Sequence, residues 1–346
     1  MVNISIGYIL LAILVFGILI FIHELGHFLC ARACGVEVKE FSIGMGPKIL
    51  GWNAKDGTTK YSLRLLPIGG YVSMLGEDEE SDSDRAFGNQ SVFKRLSITV
   101  AGPLMNLLLG FLVMIVMVSS ATALYSNTVY YSPDREAISS DFGLESGDKI
   151  VKIGKTRVHT WYEINYEITY QGAEPVDITV IRNGNRLVVD DVVFPTEAVD
   201  NMVFGRADFV PSTEDFTFVN VLKHSYFRSL STVKMIVDSF VDLLSGRYGL
   251  EAVSGPVGIT QTIGDFASMG WYYFLYIFVI ITINLGVFNL FPIPALDGGR
   301  ILFLLIEAII GRPLNPKIEG YIHFVGLVLM LGLVALVTFN DVLRLF

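Results

Sequence analysis

The chain is 346 residues long, 52% of them hydrophobic and only 17% charged, with a mean hydropathy of +0.54. Soluble globular domains carry about a quarter charged residues, so this is the composition of a membrane protein. A net charge of -9, with no stripe of Lys or Arg, excludes a nucleic-acid-binding surface.

The first predicted element is an apolar run over residues 5 to 28, within a region 1–35, longer than the roughly 20 residues a bilayer crossing needs. No positive residue precedes it and no small-residue cleavage site follows, so it is expected to stay as a transmembrane helix rather than act as a signal peptide. It ends in FIHELGHFLCAR, Phe21 to Arg32, which places two histidines and a glutamate in a segment suited to lipid. Ionisable groups at bilayer depth cost at least about 2.5–3.5 kcal/mol each, so something must offset them. Cys30 and Cys34, four apart, do not make a disulfide framework. Their spacing is not that of a Cys-containing zinc site either, and a reduced, cytoplasm-facing position is the simple reading.

Residues 36–94 hold two strand-like stretches, VEVKEFSIG and TKYSLRLLPIGGYVSML, around an Asp56-Gly57 turn signal, and a β-hairpin is expected. The acidic run EDEESDSD, Glu77 to Asp84, reads as a solvated loop. A second span is expected over 95–124. Residues 127–196 then read as a small soluble domain, with strands at Lys149 to Ile153, Val176 to Arg182 and Leu187 to Phe194. A helix from Trp161 to Tyr170 and an Asn183-Gly184 hairpin signal complete it. Its stretch GLESGDKIVKIGKTRV, Gly143 to Val158, resembles the turn and strand of bacterial PDZ domains, which bind a peptide by strand addition. Residues 214–248 show the amphipathic pattern of an interfacial helix. A third span begins at 271, and ILFLLIEAII, Ile301 to Ile310, reads as a helix continuing from it to 311. A fourth lies within 321–342.

Arg32, Lys39, Lys94 and Arg95 flank the connection between the first two spans, and Arg300, Arg312 and Lys317 lie between the last two. The positive-inside rule places both connections in the cytoplasm, and the termini and residues 125–270 outside. Arg344 is an exception.

His23 and His27 share a helix face and can bind one metal ion, with Glu24 beside them. A purely structural reading leaves Glu24 without a partner in the membrane. Catalytic zinc takes three protein ligands and keeps one position open, so a third ligand must come from another intramembrane segment. Asp297 is the candidate, in NLFPIPALDGGR from Asn289 to Arg300. Pro292 and Pro294 prevent a regular helix there, and irregular backbone at membrane depth requires protein or water to satisfy it. Gly298 and Gly299 permit close backbone approach. Capping of a helix that starts near Gly299 is the other reading of Asp297, and the two roles are compatible.

HELGH, His23 to His27, together with NLFPIPALDG, Asn289 to Gly298, resembles the site-2 protease family of intramembrane zinc metalloproteases, and among them the bacterial branch that cleaves anti-sigma factors. The likeness extends over nearly the whole chain and includes AGPLMN, Ala101 to Asn106, and SGPVGI, Ser254 to Ile259. One departure is that the best-studied enterobacterial members carry two tandem PDZ domains, where this chain has room for one. The resemblance implies a polytopic membrane protein with four transmembrane helices, a membrane-associated β-hairpin region and an inserted extracytoplasmic PDZ-like α+β domain. It implies one Zn2+ per chain, held by His23, His27 and Asp297, with Glu24 as the catalytic residue that polarises the hydrolytic water and returns its proton to the leaving amine. Asn289 is implied to engage substrate. Asn284, one and a half turns earlier, is a further candidate, with an interhelical hydrogen bond as its alternative.

The resemblance also implies that the hairpin edge pairs with an unwound substrate, Gly69 and Gly70 letting another backbone approach ahead of Tyr71 and Val72; the alternative is a hairpin that merely closes the cavity. The expected activity is cleavage of the transmembrane segments of single-span membrane proteins, such as anti-sigma factors or signal-peptide remnants. These substrates are expected to be trimmed first by another protease, with the PDZ domain binding a peptide and acting as the filter. The expected place is the bacterial cytoplasmic (inner) membrane, among lipid, with the active site toward the cytoplasm. A noncatalytic membrane adaptor for single-span partners is the competing class, and the intact His23, Glu24, His27 and Asp297 speak against it. A metal transporter would need polar residues along several spans, and the second and fourth have few.

Overall fold

Helix α1 (Ile6–Ala33) opens on Ser5, whose hydroxyl accepts the Tyr8 amide at 3.2 Å. The structure is a computed structural model describing residues 5–54, 57–77, 79, 81–132, 137–199, 202–247, 249 and 253–344. It divides into two compact units, one of Met1–Val113 with Ile236–Phe346 and one of Met114–Met235. Asp56 of the expected turn, Asp78 and Glu80 of the acidic run, and residues 133–136 of the expected soluble domain lie outside the described residues. In α1 the buried residues Ala12, Val15, Leu19, His23, His27 and Ala31 recur every three or four positions, so a helix apolar all round still has one packed face.

Strands β1 (Val38–Asn53) and β2 (Lys60–Met74) pair antiparallel as the expected hairpin, which in addition folds back on itself. Phe41 pairs with both Val72 and Tyr61, Ile43 with both Gly70 and Leu63, and Leu50 and Trp52 with Leu63 and Tyr61. The pair is therefore doubled back into four short segments, in the spatial order 48–53, 60–64, 38–43, 70–74. Gly44 and Gly46, both at φ +84, make the fold-back in β1. The outcome is an open edge at 70–74. Helix α2 (Val92–Ser119) follows and stops five residues before the expected end, because Leu124 already begins β3 (Leu124–Tyr130).

The second unit is built on an antiparallel sheet. After β3 come a short helix α3 (Ile138–Asp141), β4 (Lys149–Ile153), β5 (Thr156–Arg157), α4 (Trp161–Gln171), β6 (Val176–Arg182) and β7 (Asn185–Val192). A side hairpin of β8 (Thr196–Val199) and β9 (Met202–Gly205) precedes β10 (Val210–Glu214). The strand order is β10-β3-β4-β6-β7, with β5 on β4. Asn183 and Gly184, at φ +51 and +81, make the tight turn between β6 and β7. Thr160 and Glu163 form a capping box on α4, and Ile164 and Ile168 pack into a core with Ile150, Ile178 and Phe194. Because β10 closes on β3, the sheet spans 124–214, wider than the 127–196 expected.

Helix α5 (Phe218–Ser245) occupies the expected amphipathic segment. The Arg228 guanidinium lies 3.7 Å from the centre of the Tyr162 ring, Lys234 pairs with Glu167 at 3.0 Å, and Phe240 stacks on Phe291 with ring centres 4.4 Å apart. Phe218, Val219 and Leu244 are exposed.

Helix α6 (Pro256–Ser268) was not expected as an element. Asp341 Oδ2 accepts the Gly258 amide at 2.8 Å near its first turn, and Ile263 packs with Ala12, Val15 and Leu19 of α1. Helix α7 (Trp271–Leu290) ends where the sequence reading carried it onward. Phe291 is extended, Pro292 and Pro294 supply no amide protons, Ala295 sits at φ +74, and a separate helix α8 (Asp297–Ile310) begins. Helix α9 (Pro316–Leu343) completes the chain, with the Ala295 amide donating to His323 Nδ1 at 3.0 Å. Among the described residues four helices, α1, α2, α7 and α9, are long and apolar enough to cross a membrane.

Candidate metal centre

Helices α1 and α2 meet through two glycines. A Cβ on Gly26 would stand 2.4 Å from the Ala101 carbonyl oxygen, and one on Gly102 2.3 Å from His27 Nε2. That approach sets Ile98 and Asn106 against the two histidines. His27 Nδ1–H donates to the Ile98 carbonyl at 2.8 Å, while Asn106 Nδ2 lies 3.3 Å from His23 Nδ1. With their Nδ1 atoms held from behind, both rings aim Nε2 inward, 3.2 Å apart.

Asp297 is the first residue of α8, not its N-cap, which is Leu296. A Cβ on Gly298 would fall 1.9 Å from the Phe291 carbonyl oxygen, so only glycine lets α8 start this close to the turn. Asp297 Oδ2 reaches 3.0 Å from His23 Nε2 and 3.4 Å from His27 Nε2, and is a buried oxygen without a hydrogen-bond partner among the described residues. The three ligand atoms lie within 4.8 Å of one another.

The chemistry of this set fits a cation. A neutral imidazole has one N–H, and that of His27 is spent on Ile98, so its Nε2 presents a lone pair. A second imidazole nitrogen and a carboxylate oxygen share the same space, and electron-rich atoms so close repel one another unless a positive charge lies between them. Two imidazole nitrogens and one carboxylate oxygen, with a face left open, form a donor set of catalytic zinc.

Glu24 stands beside this cluster in a cavity of about 220 Å3. Val72, on the open edge of the sheet, lines the same cavity. Gly70 lies beside Glu24, and a Cβ there would fall 2.6 Å from the Ser42 carbonyl oxygen of the neighbouring segment. Tyr71 lines the cavity as well. The Tyr71 hydroxyl accepts from Arg64 Nη2 at 2.5 Å, and Arg64 and Ser62 both donate to Glu40. Burial pushes the Glu40 carboxyl up, but hydrogen bonds from Ser62, Tyr71 and Arg64 outweigh it and hold the group below the usual carboxylate range.

The residues singled out in the sequence thus divide. His23, Glu24, His27, Asp297, Tyr71 and Val72 surround one cavity, with Gly70 behind the edge. Gly69 is buried at φ +85 against Met45, outside the lining. Neither Asn289 nor Asn284 lines the cavity, and Asn289 donates to the Leu285 carbonyl of its own helix at 3.0 Å. Sequence reasoning missed Asn106 and the Arg300–Glu77 ion pair in the cavity wall. Asn106 was visible only as the last residue of AGPLMN. Arg300, three residues after Asp297, could have been placed by helical spacing.

Residues 11–333 match the model of peptidase family M50. A Clostridium acetobutylicum protein assigned as a zinc metalloprotease is 36% identical, over 96% of this chain and 97% of its own length. The zinc metalloprotease RasP of Geobacillus kaustophilus is 30% identical, over 96% and 97%. The regulator of sigma-W protease RasP of Bacillus subtilis is 29% identical, over 96% and 98%. A family match of this extent, on a chain with four bilayer-length helices and a zinc-type donor set, settles the kinship: the chain belongs to peptidase family M50, the site-2 proteases, and is a multi-pass membrane zinc metalloprotease.

Proposed function

We propose that this protein is an intramembrane endopeptidase that hydrolyses a peptide bond within or beside the transmembrane segment of a membrane-anchored, single-span protein, as a step of regulated intramembrane proteolysis. One observation carries the reading. The His23, His27 and Asp297 ligand atoms, Glu24 and the edge strand 70–74 meet at a single cavity in a chain with bilayer-length helices. On this reading the three ligands hold zinc, which when bound polarises a carbonyl and makes water nucleophilic near neutral pH. Glu24 takes the proton of the attacking water on its carboxylate and passes it to the leaving amine.

A transmembrane substrate arrives as a helix with its peptide bonds already hydrogen-bonded, and must be unwound before attack. The edge 70–74 offers replacement backbone bonds to the extended segment. Val72, which lines the cavity with Glu24, lies on that edge. Gly70 leaves the start of that edge free of a side chain, and Tyr71 lies beside the substrate; a role for Gly69 rests on the family likeness. Roles for Asn289 and Asn284 rest on the family likeness, because the cavity wall is made by other residues.

The name of the Bacillus subtilis relative, a regulator of sigma-W, supports anti-sigma factors as the substrate class. The antiparallel sheet of 124–214 with α4 supports a PDZ-like domain that binds a peptide and admits pre-trimmed substrates. The Lys and Arg distribution supports an active site facing the cytoplasm and that domain on the outer side of a bacterial plasma membrane.

Glu24→Gln is expected to retain one zinc by metal analysis and to lose cleavage of a membrane-anchored substrate reconstituted with the enzyme. Cleavage at the original rate by this variant would end the mechanism. Asp297→Asn is expected to lower zinc content as well as activity; full occupancy would move the third ligand elsewhere.

A further inference from the structure

The function above uses every residue of the cluster except the one behind His23. Asn106 is fully buried in α2, its amide 3.3 Å from His23 Nδ1, and Oδ1 has no hydrogen-bond partner among the described residues. It ends a stripe on α2, Ile98–Gly102–Asn106, in which each residue is four from the next and so shares one helix face. Each member meets the histidines differently. Ile98 gives His27 Nδ1 a carbonyl, Gly102 gives the His27 ring the space that any Cβ would fill, and Asn106 gives His23 Nδ1 a side chain.

We infer that Asn106 is the positioning residue of His23: its amide oxygen accepts the Nδ1–H, fixes the tautomer that leaves Nε2 as a lone pair, and sets the ring for zinc. This rests on the proposed ligand set. If His23 Nε2 holds a metal, the single proton of the neutral ring is on Nδ1, which must then donate. The amide as placed turns Nδ2 toward His23 Nδ1 and leaves Oδ1 without a partner among the described residues; oxygen and nitrogen of an asparagine amide are assigned from the network around them, and a donating Nδ1–H requires the flipped amide, with the oxygen on the His23 side. The same requirement is met at His27 by main chain alone. α2 therefore anchors both rings, one through an atom no substitution removes and the other through a side chain that can be replaced.

The test is the zinc dissociation constant of the full-length protein in detergent, measured by competition with a chromophoric chelator. Loss of a partner behind a ligating histidine weakens metal binding about 10–100-fold, and Asn106→Leu is expected to fall in that range. Asn106→Asp, which keeps an acceptor oxygen, is expected to bind zinc close to the original constant. The metal-free variants are expected to unfold at the original temperature, which separates positioning from packing. If Asn106→Leu cannot be obtained folded, Asn106→Ala is read in the same assay. Zinc binding unchanged in the Leu or Ala variant overturns the inference, as does an Asp variant no better than Leu. A parent protein that binds one zinc in the first of these cases leaves the ligand set standing; a parent that binds none removes both.

Discussion

Helix α1 and the corner between α7 and α8 deliver ligand atoms to one centre by opposite means. α1 is unbroken from Ile6 to Ala33, and the helical period alone places His23, Glu24 and His27. The corner is irregular, with Phe291 extended, Ala295 at φ +74, and Asp297 entering from the first turn of a separate helix. A regular helix satisfies its own backbone, whereas a broken one leaves polar groups for neighbours to satisfy. The geometry of α1 is therefore written in spacing, and that of the corner in contacts with other elements. Those contacts are the Ala295 amide on His323, Pro294 against Gly326, the Arg95–Glu307 pair and the Arg300–Glu77 pair.

The strongest way to break this contrast is to remove an outside support of the corner. The Arg95 and Glu307 side chains are 13% and 11% exposed. Glu307→Leu leaves a buried guanidinium without its carboxylate, which costs about 3–5 kcal/mol. Zinc affinity should fall with it, because α8 carries Asp297. Adding Arg95→Met should recover most of the stability, since a buried pair replaced as a whole is close to neutral. Unfolding of the detergent-solubilised protein, followed with zinc content, measures both. A single variant as stable as the parent would show that the corner stands unaided, as α1 does.

A smaller effect compares glycines across the two regions. A Cβ on Gly298 falls 1.9 Å from the Phe291 oxygen, and one on Gly26 falls 2.4 Å from the Ala101 oxygen. At Gly26 the obstacle is a separate helix, α2, distant in sequence. At Gly298 it is seven residues back in the same corner, with Pro292 and Pro294 between. Overpacking costs about 1–3 kcal/mol. Gly298→Ala is expected at the top of that range with zinc lost, and Gly26→Ala at the bottom with zinc weakened. Equal losses in stability and zinc binding would dissolve the distinction.

The same contrast explains what was legible. His23, Glu24 and His27 could be read because a helix maps spacing onto a face. Asp297 was found from an acid and two prolines in an apolar context, but the break after Leu290 was not, because apolar residues resume at Ile301 and mimic continuation. α6 escaped notice because its 13 residues include Pro256, Gly258 and Gly264, which read as loop. Gly264 is required by contact alone, as a Cβ there would lie 2.0 Å from the Tyr8 ring. In the second unit β4 and β6 match the expected bounds, because alternation and turn residues are local signals. The doubling of β1 and β2 is not local. It depends on Gly44 and Gly46 adopting positive φ, and the sequence shows only that they are able to.

The smallest effect concerns the cavity wall that belongs to neither region, the edge carrying Tyr71. Its hydroxyl is held by Arg64, which also donates to Glu40. Because the folded Glu40 carboxyl titrates below its unfolded value, its stabilisation is fully present above the ordinary carboxylate pKa of about 4.3. It is lost as the pH falls through the lowered folded value. Without the Glu40 carboxylate Arg64 still donates to Ser42 Oγ, the Gly46 carbonyl and the Tyr71 hydroxyl, so the contribution is that of a single hydrogen bond, ~1 kcal/mol. The parent protein is expected to lose this increment on acidification, and Glu40→Gln to start without it and show a flatter acid limb in unfolding measurements. If both acid limbs have the same slope, Tyr71 owes its place to backbone register alone. The sheet edge would then stand with α1, as a wall set by its own regular structure, and only the α7–α8 corner would depend on charged partners.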